Sequence, residues 1–239
     1  MKQRLDTYMA QQGFVSSRSQ AESYIRLGKV QVDGKAVAKP GHFVDDEAVV
    51  TLSQTEQYVS RAGLKLASVA QTLHVSFDGK TVLDVGSSTG GFTDYALQHG
   101  AVKVYAVDVG TDQLHPELRG DERISLHEKT DIRDFTPPEP VDVVVMDVSF
   151  ISLREILPHI ASIVQPSTQI VAMLKPQFEA GRNQVSKGVI KNDRVRREII
   201  HDFEAWARQR FLILNKADSD VAGARGNRER FYVLHIAKT

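Results

Sequence analysis

The sequence predicts an α/β protein in two parts: a small α+β unit over residues 1–55, then a parallel sheet flanked by helices over 56–239. Three observations carry that prediction. From residue 81 onward, near-continuous runs of Val, Ile and Leu alternate with helical stretches, which is how strands buried on both faces read. The first part instead shows two helical patterns followed by short alternating runs. Charge is also segregated: residues 1–40 hold seven Lys/Arg against three Asp/Glu, residues 76–150 six against fourteen, and residues 151–239 fifteen against nine.

In the first part, Leu5, Tyr8 and Met9 sit at helical spacing. Ser17-Arg18-Ser19-Gln20 offers a capping box for a second helix carrying Ala21, Tyr24, Ile25 and Leu27, stopped by Gly28. Val30 and Val32 alternate into Asp33-Gly34, a hairpin turn, and Ala36-Val37-Ala38 continues out of it. Residues 49–52 make a further strand, and residues 53–60 join the two parts. The second part begins with a helix over 61–73 and a strand over 81–85, then a Gly-rich turn and a helix through Tyr95-Ala96-Leu97. Strands follow at 102–107, 123–126, 141–146 and 169–174, with a helix opening after Ser152. A long helix over 192–208 leads to strands at 211–214 and 231–236.

Composition excludes several classes. Thirty Lys+Arg balance thirty Asp+Glu, and 41% hydrophobic residues are ordinary for a globular chain. The chain has no cysteine, which removes disulfide frameworks, thiol nucleophiles and thiolate zinc sites, and fits a reducing cytoplasm. Eight histidines show no ligand spacing, so no metal is expected. The N-terminus has no apolar stretch behind its charges, unlike a secretory signal. The longest apolar runs, such as residues 170–174, are far shorter than the ~20 residues of a membrane helix. Segregated charge keeps nucleic acid open as a partner, because binding depends on a local patch.

Asp84-Val85-Gly86-Ser87-Ser88-Thr89-Gly90-Gly91 follows a strand and opens a helix. Glycines there let the backbone approach a ligand and let the helix pack close to the strand. Asp108 falls at the tip of the next strand, where a carboxylate can accept both hydroxyls of a ribose. The spacing is neither G-x-G-x-x-G nor a G-K-[ST] phosphate cradle. Asp84 beside the glycines and Asp147 at a strand tip would repel a pyrophosphate and attract a sulfonium carrying an amino group. Asp84, Gly86, Ser87, Ser88, Thr89, Gly90, Gly91, Asp108, Asp131 and Asp147 are therefore candidates for holding S-adenosylmethionine. NAD, or a plain tight turn with a helix cap, remains the alternative. Asp131 suits an adenine amino group and a helix cap equally.

Lys65, Asp147, Lys175 and Glu229 fall on or beside the carboxyl edge of the sheet, where open α/β folds bind ligands. Lys175 ends an apolar strand, an expensive position for a charge. A lysine near a second lysine has a lowered pKa and can draw the proton from a ribose hydroxyl, so that the oxygen attacks a sulfonium methyl in line. A salt-bridged pair of Asp147 with Lys175, closing the sheet edge, fits the same spacing.

Residues 60–66 (S-R-A-G-L-K-L), 84–93, 147–153 (D-V-S-F-I-S-L), 175–178 (K-P-Q-F) and 226–229 (G-N-R-E) together resemble the TlyA family, over almost the whole chain. That family joins an S-four-type RNA-binding domain to an FtsJ-like methyltransferase. The resemblance implies a Rossmann-like S-adenosylmethionine-dependent methyltransferase sheet with a small N-terminal α+β RNA-binding domain. It also implies ribose 2′-O-methylation of ribosomal RNA, with Lys65, Asp147, Lys175 and Glu229 matching the FtsJ-like K-D-K-E tetrad and Lys175 as the base. Members often carry the name hemolysin, although no membrane segment is visible here. Ala62 stands where many members have Gly. The chain ends at Thr239, where some relatives continue into another helix; shorter termini go with fewer rRNA targets, which favours a large-subunit cytidine. An S-adenosylmethionine-binding protein that only docks on RNA is the main alternative. A secreted hemolysin or an NAD-dependent oxidoreductase comes after it.

Arg4, Arg18, Arg26 and Lys29 are the expected phosphate contacts of the small unit. Arg182, Lys187, Lys191, Arg194, Arg196 and Arg197 form a second basic run, for which a solvated helix face is the plainer reading. Phe150 and Phe178 could stack on a flipped base, with core packing favoured. Trp206 is expected in the core.

Overall fold

The computed structural model describes residues 2–15, 17–53, 58–180, 189–190, 192–221, 223 and 226–237. The N-terminal unit runs β1 (Gln3–Arg4), α1 (Leu5–Gln11), α2 (Arg18–Arg26), β2 (Val30–Val32), β3 (Lys35–Ala36), β4 (Phe43–Val44) and β5 (Val50–Leu52). Asp33 and Gly34 both take positive φ, 51° and 75°, which matches the twist of the β2–β3 hairpin. β3 ends at Ala36, short of the expected run to Ala38. β5 pairs with the other edge of β2, and β1 pairs with β4. That last ladder is two residues long, too short to leave a period in the sequence. The capping box is half made: Ser17 accepts from the Gln20 backbone at 3.2 Å, but the Gln20 side chain donates to the Tyr58 carbonyl at 2.9 Å. Gln20 thus ties the small unit to the second part of the chain.

The second part runs α3 (Arg61–Leu73), β6 (Thr81–Val85), α4 (Gly91–Gln98), β7 (Lys103–Val107), β8 (Ile124–His127) and β9 (Val143–Met146). It continues with α5 (Leu153–Ile163), β10 (Gln169–Leu174), α6 (Pro176–Glu179), α7 (Asp193–Ala207), β11 (Phe211–Asp218) and β12 (Arg230–Ile236). The sheet order is β11-β12-β10-β9-β6-β7-β8. Five strands are parallel, but β12 inserts antiparallel between β10 and β11, which corrects the expectation of an all-parallel sheet. No crossover helix separates β11 from β12 among the described residues, so the chain can only return antiparallel. β11 runs on past residue 214, with an irregularity between Ile213 and Asn215.

Alternate strand residues build two cores. Val82, Val104, Val143, Val145 and Val171 face α3 and α4, in one apolar cluster with Leu5, Met9, Tyr24 and Ile25 of the N-terminal unit. Leu83, Val107, Val144, Met146 and Ala172 face α5 and α7, where Trp206 packs at the border. Each large side chain so buried contributes roughly 1.5–3 kcal/mol. The continuous first cluster joins the two parts into one packed body. The 55/56 boundary and Arg182, Lys187 and Lys191 lie outside the described residues. On α7, Arg194 pairs with Glu198 at 2.9 Å in solvent, whereas Arg196 is buried against Asp218 at 2.8 Å. Arg196 is a structural ion pair, not part of a basic surface.

Candidate active site

β9, β10 and β12 lie side by side, and their register sets the site. Leu174 stands opposite Arg230, so Lys175, just past β10, and Glu229, just before β12, reach the same sheet edge. Asp147 follows β9 at that edge. Lys175 Nζ lies 2.6 Å from Asp147 Oδ1 and donates to Ser149 Oγ at 2.8 Å. Lys65 comes from α3, and its Nζ lies 2.6 Å from Glu229 Oε2. The four residues therefore form two ion pairs. Each lysine is held by a carboxylate, and the salt-bridged pair of Asp147 with Lys175 that the spacing also allowed is realised. Lys65, Lys175 and Glu229 are all buried. Buried pairs stabilise folds poorly because desolvation offsets attraction, so two of them at one edge point to chemistry more than to stability.

Beside them lies a cleft of about 350 Å³, lined by Gly86, Ser88, Asp108, Asp131, Asp147 and Phe150 among others. That volume suits a small organic ligand. A further pocket of about 80 Å³ is lined by Asp84, Ser87, Thr89 and Asp147. Gly86, at φ 80°, carries the chain past β9 so closely that a Cβ there would sit 3.0 Å from the Asp147 carbonyl. Gly90 and Gly91 do not line the cleft. A Cβ on Gly90 would meet Leu118 and Leu114, and one on Gly91 would meet Ala62 and Gly63, so the two glycines let the start of α4 pack closely.

The carboxylates differ in state. Asp84 is fully buried; its Oδ2 accepts from Thr93 Oγ1 at 2.7 Å, and its Oδ1 has no partner. Burial pushes it up to about 7 despite the Thr93 hydroxyl, and the charges of Asp147 and Asp108 push the same way. Ser87 Oγ is likewise buried without a partner. Asp108 is oriented by two backbone donors, Ser88 N at 2.8 Å and Gly110 N at 2.6 Å, and keeps lone pairs free for further donors. Asp131 caps the short turn Ile132–Asp134, and its hydrogen bonds from the Arg133 guanidinium hold it down to about 2. The cap reading of Asp131 is thus realised, although the residue still borders the cleft.

Two features escaped the sequence. Glu179 accepts from Ser152 Oγ at 2.6 Å and Leu153 N at 2.7 Å, bracing the start of α5 against the segment after Lys175. An acid after K-P-Q-F carries no local signal for that. Phe150 is 91% exposed, at φ 67°, with its ring 5.1 Å from Phe178, so it is not core. The left-handed turn after β9 swings the ring out to the cleft mouth, which residue type cannot reveal. In the N-terminal unit, Arg4 and Arg18 converge on the buried Asp6 at 2.7 and 3.0 Å. Arg26 and Lys29 are exposed at the end of α2. Among the described residues no group of His, Asp and Glu is placed to hold a metal, and no helix is long and apolar enough to cross a membrane.

Comparison with known proteins agrees with this geometry. Residues 58–236 match the FtsJ-like methyltransferase family and residues 3–50 match the S4 domain. The chain is 40% identical to hemolysin A of Brachyspira hyodysenteriae over 98% of its length and 99% of that protein. It is 35% identical to the 16S/23S rRNA (cytidine-2′-O)-methyltransferase TlyA of Mycobacterium tuberculosis, over 97% of this chain and 89% of that one. A solved Streptococcus thermophilus structure, named as a hemolysin, superposes with a TM-score of 0.74 at 36% identity, covering 100% of this chain and 90% of that one.

Proposed function

The chain belongs to the FtsJ-like methyltransferase family, and on that premise we propose that it methylates a ribose 2′-hydroxyl of ribosomal RNA from S-adenosylmethionine, at a cytidine with the large subunit favoured. The observation that carries this reading is Lys175, buried at a strand tip and paired with Asp147, which itself lines an acid-lined cleft. S-adenosylmethionine supplies a methyl group on a cationic sulfur. The unpartnered oxygens of Asp84 and Ser87, with Asp147 beside them, fit its positive charges better than they would fit a pyrophosphate. Asp108 offers its remaining lone pairs to a ribose. Asp131 borders the far end of the cleft.

At the other side of Asp147 the substrate ribose meets the two ion pairs. Acting as the free amine, Lys175 Nζ takes the proton of the 2′-hydroxyl on its lone pair as the oxygen becomes a nucleophile, while its two N–H groups donate to Asp147 and Ser149, which hold that nitrogen in place. Lys65 and Glu229 fix each other at the same edge and orient the hydroxyl. Phe150, exposed at the mouth, gives a face on which an unstacked base can rest. The N-terminal unit, divided from the catalytic one near residue 55, grips RNA through Arg4, Arg18, Arg26 and Lys29. Such a substrate implies a cytoplasmic protein.

The test is to incubate the protein and labelled S-adenosylmethionine with ribosomal subunits, and with naked rRNA, from cells lacking the gene, then map the label by mass. Label on a ribose is expected and names the nucleotide. No label on any RNA, with S-adenosylmethionine still bound, would favour a docking protein without transferase activity.

A further inference from the structure

Arg26 and Arg61, unlike most arginines of the described residues, are held by no acidic or carbonyl partner. Most arginines of the described chain are tied to a carboxylate or a carbonyl, as Arg4 and Arg18 are to Asp6 and Arg196 is to Asp218. Arg26 and Arg61 have no ion pair or side-chain hydrogen bond among the described residues, yet both line one cleft. Its volume is about 160 Å³, well below the roughly 300–1,000 Å³ of a pocket for a whole small molecule, so it suits a compact group.

The walls suit an anion. From α2 come Ser19, Glu22, Ser23 and Arg26, spaced i, i+3, i+4 and i+7 on one helix face. Glu22 is engaged by Arg18 at 3.4 Å, which offsets its charge. The rest of the lining is Arg61, the first residue of α3, with Val221, Gly223 and Gly226. The two glycines present backbone without side chains, so a ligand can come close there. The cleft is next to the catalytic edge. Lys65 follows Arg61 by four residues, about 6 Å along the axis of α3. Gly223 lies against the carboxylate of Glu229, since a Cβ on it would be 2.8 Å from Glu229 Oε1.

We propose that this cleft binds a backbone phosphate of the RNA substrate beside the nucleotide being methylated, clasped by Arg26 of the N-terminal unit and Arg61 of the catalytic unit. The proposal rests on the RNA-methylation reading above and deepens it. The two units then share one grip on the strand, and the N-terminal unit sets which ribose reaches Lys175.

The experiment measures binding of the full chain to ribosomal subunits from cells lacking the gene, over a range of KCl concentrations. It compares wild type, the double variant Arg26→Gln/Arg61→Gln and the charge-retaining double variant Arg26→Lys/Arg61→Lys. Losing a phosphate contact lowers the salt slope by about 0.7 on single-stranded RNA, so the Gln pair, which releases the one clasped phosphate, should lose about 0.7 and the Lys pair almost nothing. S-adenosylmethionine affinity and melting temperature serve as checks on the fold. A Gln pair with the wild-type slope overturns the phosphate site, and so does a Lys pair that loses as much as the Gln pair. Failure of the wild type to label any RNA overturns the functional reading instead, and the site falls with it.

Discussion

Asp6 in the N-terminal unit and Asp84 at the end of β6 are the same side chain at the same burial, both 0% exposed, in opposite electrostatic states. Burial alone would raise both. Around Asp6, hydrogen bonds from Arg4 and Arg18 overrule burial and bring the group down to about 2. Around Asp84 the neighbouring charges are other carboxylates, one oxygen has no partner, and the group rises to about 7. The first region is complete without a ligand, and its carboxylate fastens β1 and α1 to α2. The second is left deficient in positive charge, which a cationic ligand would supply. A buried acid that is satisfied belongs to the scaffold, and one that is not belongs to the site.

The largest expected effect lies on the site side. Lys175→Ala removes the proton acceptor and should cut methyl transfer by about 10²–10⁴-fold while RNA binding persists. An active variant in a labelled-methyl rate assay would transfer the base role elsewhere. Next comes Asp84→Asn, which should weaken S-adenosylmethionine binding by about 1.5–3 kcal/mol, the worth of a hydrogen bond to a charged group. The pH dependence sharpens it. Because the native Asp84 pKa is raised, the ligand-free protein loses stability as pH rises from about 4 to about 7, where the unfolded chain has already released this proton. A cationic ligand favours the ionised form, so calorimetry should find affinity falling as pH drops from 7 to 5, and Asp84→Asn should flatten both trends.

Asp6→Asn tests the scaffold side and should cost about 1–3 kcal/mol of stability at pH 7, because two partly exposed arginines lose a charged acceptor. The sign is opposite to that of Asp84. A lowered pKa gives stability that is present above about 4 and lost as pH falls towards 2, and the variant should lack that acid-side loss. Its S-adenosylmethionine affinity should stay that of the wild type, and any large drop would erase the distinction between the regions. Phe150→Ala should change stability by no more than about 0.5 kcal/mol, because the ring is exposed, yet raise the KM for RNA. A variant that melts much earlier would return Phe150 to the core.

Much of this molecule is legible in its sequence. The helix over 61–73 and the strands over 81–85 and 169–174 start and stop where the structure has them, because their periods and bounding residues are local. Asp147 and Lys175 were readable as strand tips for the same reason. The antiparallel place of β12 was not, because a strand's periodicity says which faces are buried and not which neighbour it pairs with. The capping box misled for a related reason: Gln20 had a better use, in the Tyr58 carbonyl, than in its own helix.

The sequence by itself determined the α/β class, the two-part organisation, the strand-tip positions of Asp147 and Lys175 and the hairpin at Asp33-Gly34, all of which depend on neighbours along the chain. Only the tertiary structure decided that Lys65 meets Glu229, that Gly90 and Gly91 let α4 pack closely, that Phe150 stands in solvent, and that Arg26 and Arg61 line one cleft. It also decided the states of Asp6 and Asp84, since a buried carboxylate takes its charge from the groups folded around it, and those come from distant parts of the chain.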